Sequence, residues 1–265
     1  MECTVRMIAD WMAEWADPSW AESYDNVGLL IGHEDAAVDT VVTALDVTEG
    51  AIAYAVREGA QMIVSHHPLL FRGAKTIVDG DRDGARLLML IENHLAVCAA
   101  HTNMDAALGG TNDIAAEKLG LTDVIPIEPV PGDDSGAGMG RIGRLPAAMT
   151  VRQFAELVKE VFDIPSVKMI SPDPDAVIQK TALCTGKGMG FYKAARMAGA
   201  EVYLTGDVTY HEAEEALATG AHIIDAGHFG TEFPIAEAIA QYLQQQDETL
   251  TVLPFREARD PFTVV

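Results

Sequence analysis

Apolar positions along this chain recur in two rhythms, one helical and one extended. Ile8, Trp11, Met12 and Trp15 fall at helical spacing, which predicts an opening amphipathic helix with its stripe turned inward. DNVGLLIG (25–32) and DTVVTALDV (39–47) then read as short strands, the first bounded by glycine and polar residues. A helical pattern over 48–59 leads into QMIVSHHPLLF, a buried strand ending in a polar cluster. A helix over 84–94 feeds the strand LAVCAA and the cluster HTNMDAALGGTND. Past residue 146 the pattern continues: a helix over 151–162, the strand TALCTG, a helix over 191–198 and the strand EVYLTGD. A last helical pair brackets HIIDAGHFGTE. Alternating helices and apolar strands predict parallel strands joined by helical crossovers.

The two halves share a pattern. AVREGAQMIVSHHP matches AARMAGAEVYLTGD in its order of helix, Gly-Ala, apolar strand and polar cluster, and IENHLAVCAAHTNMD parallels LATGAHIIDAGHFGTE. Residues 128–146 (EPVPGDDSGAGMGRIGRLP) are rich in Gly, Pro and Asp and read as the boundary between lobes. The expected architecture is therefore α/β, with two related lobes of mixed, largely parallel sheets. Residues 1–127 carry His66, His67 and Asp105, and residues 128–265 carry His228 and Glu232. Each polar cluster stands at the carboxyl end of a strand, where open α/β sheets place their ligands, so a site in the cleft between the lobes is expected.

Composition narrows the chemistry. With 40 acidic against 18 basic residues the formal charge is -22, which argues against nucleic-acid or anionic-membrane partners, because phosphate contacts need clustered Lys and Arg. An acid excess of this size also fits a salt-rich cytosol, where screening shortens self-repulsion. No apolar run is long enough to span a bilayer and the opening residues are too acidic for a secretory signal, so a cytoplasmic protein is expected. Cys3, Cys98 and Cys184 lie far apart with no CxxC pair, which points away from disulfides and thiolate zinc sites.

Histidine and carboxylate donors remain. His66 and His67 end one strand before Pro68, His101 and Asp105 follow another, and His228 and Glu232 follow a third at i, i+4 spacing. Each pair taken alone is also explained by hydrogen bonding at a strand exit or by helix capping. Recurrence after three buried strands, in a chain with eight histidines, favours metal ligation; imidazoles with carboxylates suit zinc, iron, manganese or cobalt. CTGKGMGF, with Lys187 and Gly188, could cradle a phosphate at a helix N-terminus, and a tight glycine turn explains it equally. In TGDVTYHEA, Asp207, His211 or Glu212 could serve as acid or base, and His211 reads equally as a helix-face residue.

DNVGLLIG, SHHPLLF, HTNMDAALGGTND, TGDVTYHEA and GHFGTE together resemble the NIF-three-like dinuclear metal-centre protein family, whose members are often labelled GTP cyclohydrolase 1 type 2 homologues. The resemblance runs from about Trp20 to the terminal DPF. It implies a two-lobed subunit in a toroidal homohexamer and two divalent ions per subunit, zinc, iron or manganese. The ligands it implies are His66, His67, Asp105, His228 and Glu232, with Glu232 as the bridge. Two departures stand out: CTGKGMG replaces a glycine-serine-rich segment, and 128–146 has no room for the domain some relatives insert. The expected activity is hydrolysis of GTP or a related purine nucleotide with imidazole opening and formate release, His101 or His211 moving protons. The alternatives are a phosphoesterase and a non-catalytic metal-binding regulatory or interaction protein.

Overall fold

The computed structural model describes residues 2–264. They form two compact units, residues 2–104 with Ile235–Arg259, and Asp105–Pro234 with residues 260–264.

In the first unit a five-stranded sheet has the order β1-β4-β3-β2-β11. Its strands are β1 (Gly28–Ile31), β2 (Thr40–Ala44), β3 (Met62–Ser65), β4 (Ala96–Ala99) and β11 (Thr251–Pro254). All neighbours run parallel except β1, which lies antiparallel on β4. Helices α2 (Glu49–Arg57) and α3 (Arg82–Glu92) supply the crossovers that parallel neighbours require. The Thr48 hydroxyl starts α2 by accepting from the Ala51 amide, and Asp81 does the same for α3 at Gly84. Val42, Ile52, Ile63, Leu90 and Val97 fill the core between these helices and the sheet. The opening stripe behaves as expected in α1 (Val5–Trp15): Ile8 and Met12 are buried, and Trp15 packs on Tyr242 of α10 (Ile235–Gln246).

The second unit holds a six-stranded sheet of order β5-β6-β8-β9-β10-β7. The strands are β5 (Thr122–Pro129), β6 (Gly138–Thr150), β7 (Lys168–Ile170), β8 (Val177–Leu183), β9 (Val202–Thr205) and β10 (Ile223–Asp225). Strands β8, β9 and β10 are parallel, and β7 lies antiparallel on β10. The helices are α5 (Thr111–Lys118), α6 (Val151–Phe162), α7 (Tyr192–Met197), α8 (Tyr210–Ala218) and the short α9 (His228–Glu232). A further short helix, α4 (Thr102–Ala106), spans the division at 104/105.

The repeat read in the sequence is present as topology. Chain order β1, β2, α2, β3, α3, β4 gives the strand order β1-β4-β3-β2; chain order β7, β8, α7, β9, α8, β10 gives β7-β10-β9-β8. The division differs from the expected 127/128. Strand β5 pairs with β6, so 122–129 belong to the second sheet, and β11 pairs with β2, which returns the C-terminal strand to the first. The Gly- and Pro-rich stretch from 128 is no linker. It is the turn of the β5-β6 hairpin followed by a 13-residue strand in which Ile142 and Leu145 are buried.

Candidate metal-binding site

In the first unit β3 ends at Ser65, and Pro68, which has no backbone N–H, keeps the ladder from resuming. The backbone stays in register to the end: the His66 amide donates to Ala44 O at 3.1 Å, the His67 amide to Leu45 O at 2.9 Å, and the Ser65 hydroxyl closes the turn on His67 O. His66 is fully buried and His67 partly so. His101, after β4, faces both: ring centroids lie 5.2 Å from His66 and 5.4 Å from His67, and the latter two are 5.0 Å apart. A nitrogen from each of the three lies within 4.8 Å of the others, a group able to hold a metal ion.

The second ring nitrogens explain the orientation. His66 Nδ1 meets Ala100 O at 2.9 Å, His67 Nδ1 meets Asp46 at 2.8 Å and His101 Nδ1 meets Asp25 at 2.8 Å. A carbonyl or carboxylate oxygen can only accept, so each Nδ1 carries the proton and each neutral ring keeps its lone pair on Nε2. Histidine ligands of metals are commonly held in this way. The Asp25 side chain is itself inaccessible to solvent. Burial works against its charge, but hydrogen bonds from His101 and Thr102 prevail and hold its carboxyl well below the usual range.

The second unit repeats the arrangement at its own strand ends. His228 Nδ1 meets Asp207, which follows β9, at 2.9 Å, and His228 Nε2 meets Glu232 at 2.9 Å on one face of α9. A neutral imidazole cannot donate to both carboxylates; a doubly protonated ring or a shared cation satisfies both. Asp207 adopts a φ of 54°, unusual for a residue with a side chain. Asp105 is buried and accepts from the Thr111 hydroxyl. Its carbonyl accepts from Asn112 at 2.9 Å, and the next two carbonyls, Ala106 and Ala107, accept from the buried Arg141, which also pairs with Asp113.

CTGKGMG packs beneath these donors. The Gly186 amide donates to Thr231 Oγ1 at 3.1 Å, and the Gly188 amide to Thr205 Oγ1 at 2.9 Å. Gly186 has a φ of +59°, and a Cβ there would stand 2.9 Å from Glu232 Cδ and 3.2 Å from His228 Nε2. Lys187 is exposed, so an anion beside this turn would meet its ammonium rather than those two amides. Burial pushes the Cys184 thiol well up, helped by the charges of Asp105 and Glu232. His211 lies on α8, largely exposed, with Glu214 and the Tyr210 ring as its neighbours. Glu212 is part of a capping box with Thr209, whose hydrogen bonds hold its carboxyl below the ordinary range.

Sequence reasoning missed Asp25 and Asp46 as histidine partners and Arg141 as an anchor. Asp46 carried a signal: like His66 it is a polar residue just past the carboxyl end of a buried parallel strand.

The two sheets and their strand-end donors define a two-unit α/β protein with histidine-carboxylate groups suited to metal. No helix among the described residues is long and apolar enough to cross a membrane. The chain belongs to the Duf34/NIF3 (NGG1p interacting factor 3) family, which matches residues 3–261. It is 36% identical over 245 residues to a GTP cyclohydrolase 1 type 2 homolog of Clostridium perfringens, covering 92% of this chain and 93% of that one. A protein of the same name from Streptomyces coelicolor is 34% identical over 269 residues, covering 99% and 93%. Among solved structures, a Bacillus cereus protein related to NIF3 superimposes with a TM-score of 0.93 at 25% identity over all of both chains. Reduced HcgD from Methanocaldococcus jannaschii gives 0.80 at 26% identity, covering 97% of this chain and 99% of that one.

Proposed function

We propose that this protein is a cytoplasmic, dinuclear metal-dependent hydrolase of the GTP cyclohydrolase type, opening the imidazole ring of a purine nucleotide and releasing formate. The observation that carries the reading is the anchoring of four histidines, His66, His67, His101 and His228, each with Nδ1 on an oxygen acceptor. In this reading His66, His67, Asp105, His228 and Glu232 hold two divalent ions, zinc, iron or manganese, with Glu232 as the bridge. Such ions would lower the pKa of a water toward neutrality and offset negative charge on the substrate. His101 would hold or move a proton at Nε2, because Asp25 fixes the other nitrogen in its protonated form. Lys187 would offer a charge to a substrate phosphate.

A second reading, a non-catalytic interaction protein, has an observation of its own. Met197 is 90% exposed and Tyr210 77%, and Met197 lines a groove of about 710 Å³ in the second unit with Tyr192 and Ala216. The homohexamer expected from the family resemblance would give such a surface a use, and light scattering on the purified chain tests it.

The deciding experiment is elemental analysis of gently purified protein, with formate release from GTP assayed in parallel. About two ions per chain and metal-dependent formate support the hydrolase. Two ions without turnover of any purine nucleotide favour the interaction protein. Glu232→Gln should lower the metal content while the apolar cores keep the fold; two ions retained would remove Glu232 as the bridge.

A further inference from the structure

The first unit contains a cleft of about 500 Å³ beside the histidine cluster. Its apolar walls come from Leu30 on β1, Leu87 and Ile91 on α3, and Leu70, Phe71 and Ile77 on the segment between β3 and α3. Asp25 and Asn26 line it as well, and Asp25 is the residue that holds His101 Nδ1. Cleft and cluster therefore share a residue. They also share a ring, since Phe71 stands edge-on to His101 at 6.2 Å and to Tyr24 at 6.2 Å.

This volume falls within the range of ligand pockets, and its walls are mostly apolar with two polar residues, Asp25 and Asn26, among them, as in such pockets generally. Phe71 and Ile77 remain 43% and 47% exposed, so the walls are not filled by the protein's own core. A smaller cavity of about 220 Å³ shares Leu70, Gly73, Ala74 and Leu87 with the cleft and adds Arg72 and Lys75. Its two carboxylates are engaged locally, Asp81 with the Gly84 amide and Asp83 with Arg86. Two exposed cations on one short segment stand out in a chain with 18 basic and 40 acidic residues.

We propose that this cleft is the pocket for a planar heteroaromatic ring carrying an anionic group. The ring lies among Leu30, Phe71 and Ile77, and the anion meets Arg72 and Lys75. The pocket rests on the hydrolase reading and deepens it: the ring is the part of the substrate presented to the histidines, and the segment from Leu70 to Ile77 selects it. A flat ring suits the site because Phe71 already stands edge-on to two aromatic neighbours, and aromatic stacking tolerates any heterocyclic face.

The test is isothermal titration of the full chain as purified with GMP, guanosine and octanoate. It compares wild type with Ile77→Asp and with the double variant Arg72→Ala/Lys75→Ala, and metal content is measured on each. The expected result is binding of GMP and guanosine by wild type and loss of about tenfold or more for both in Ile77→Asp. The double variant should weaken GMP while leaving guanosine unchanged. Ile77 is a half-exposed loop residue, so an unchanged melting temperature checks its fold. Unaltered GMP affinity in Ile77→Asp, or binding of octanoate but of neither purine ligand, would overturn the pocket. Failure of the hydrolase reading looks different: wild type would lack metal or release no formate while still binding GMP in a manner sensitive to Ile77→Asp.

Discussion

Replacing Gly186 by alanine tests whether a backbone position, rather than the ligands themselves, sets the geometry around Glu232. Two costs follow from the structure. The φ of +59° is left-handed, which costs a residue bearing a Cβ about 1–2 kcal/mol. The new methyl would also sit 2.9 Å from Glu232 Cδ, closer still to its Oε1, and 3.2 Å from His228 Nε2, so the carboxylate must swing away. The backbone cost is a modest part of a typical stability of about 5–15 kcal/mol, so the chain should still fold, with a melting temperature lower by roughly 2–8 °C. Metal binding should suffer more. Disturbing groups that only support ligands commonly costs about 10–100-fold in affinity, and here a carboxylate proposed as a ligand is itself displaced. Competition titration with a chromophoric chelator measures this, with Gly190→Ala as the control, because a Cβ at Gly190 meets nothing within 4 Å. Metal affinity equal to wild type in a folded Gly186→Ala protein would refute the reasoning, since Glu232 could then reach its working position from elsewhere.

Other consequences can be read in the same way. Asp46→Ala frees His67 Nδ1, and Asp207→Gly removes the carboxylate on His228 while relieving the positive φ; each should weaken metal binding about 10–100-fold with a melting curve close to wild type. Arg141→Met strands the Asp113 charge and several buried carbonyls, so urea melts should show a loss of about 3–5 kcal/mol, part of it restored by a second change, Asp113→Leu. Backbone hydrogen bonds from Gln179 and Lys180 lower the Glu201 carboxyl in the folded state. Its contribution is therefore full above the ordinary glutamate range and fades as pH falls through the lowered value; Glu201→Gln should flatten that part of the acid unfolding curve. Burial raises the Cys98 thiol to about 12 and Cys184 well above its usual value, so neither should react with a thiol reagent at neutral pH until denaturant is added.

The parts of this protein legible in sequence were those written in hydrophobic period. The stretch 151–162 alternates with helical spacing behind a Thr-x-x-Gln capping box, and the helix occupies those residues. MIVS and VYLT are buried at every position and apolar until their last residue, because parallel strands are buried on both faces. The division between units was hidden for a physical reason: glycine and proline mark a turn and a linker alike, and only pairing across the β5-β6 hairpin separates the two. The donor clusters showed as histidines at strand ends. Asp46 stood past a strand end as the histidines do, but its pairing with His67 across 21 residues, and that of Asp25 with His101 across 76, is set by the fold and not by local pattern.

Strand register carries the comparison of the units one step further. Ser65 pairs with Ala99 in the first sheet and Thr205 with Asp225 in the second, so Gly206 and Asp207 occupy the places of His66 and His67. Ala44 pairs with Ser65, and Leu183 with Leu204, which places Cys184 at the position of Ala44; beyond it the units diverge, because the His66 amide donates to Ala44 O whereas the Gly206 amide donates to Gly186 O. The same strand ends thus divide the work differently. In the first unit the histidine follows β3 and its carboxylate partner, Asp46, follows β2. In the second the carboxylate Asp207 follows β9 and holds a histidine that follows β10, and Gly186, past the end of β8, has no side chain to stand against Glu232. His101 with Asp105 and His228 with Glu232 keep the same i, i+4 spacing after the matching strands β4 and β10. A duplicated framework therefore needs few changes at its strand ends to present two unlike donor sets, and Gly186 is a position where the second set depends on the absence of a side chain.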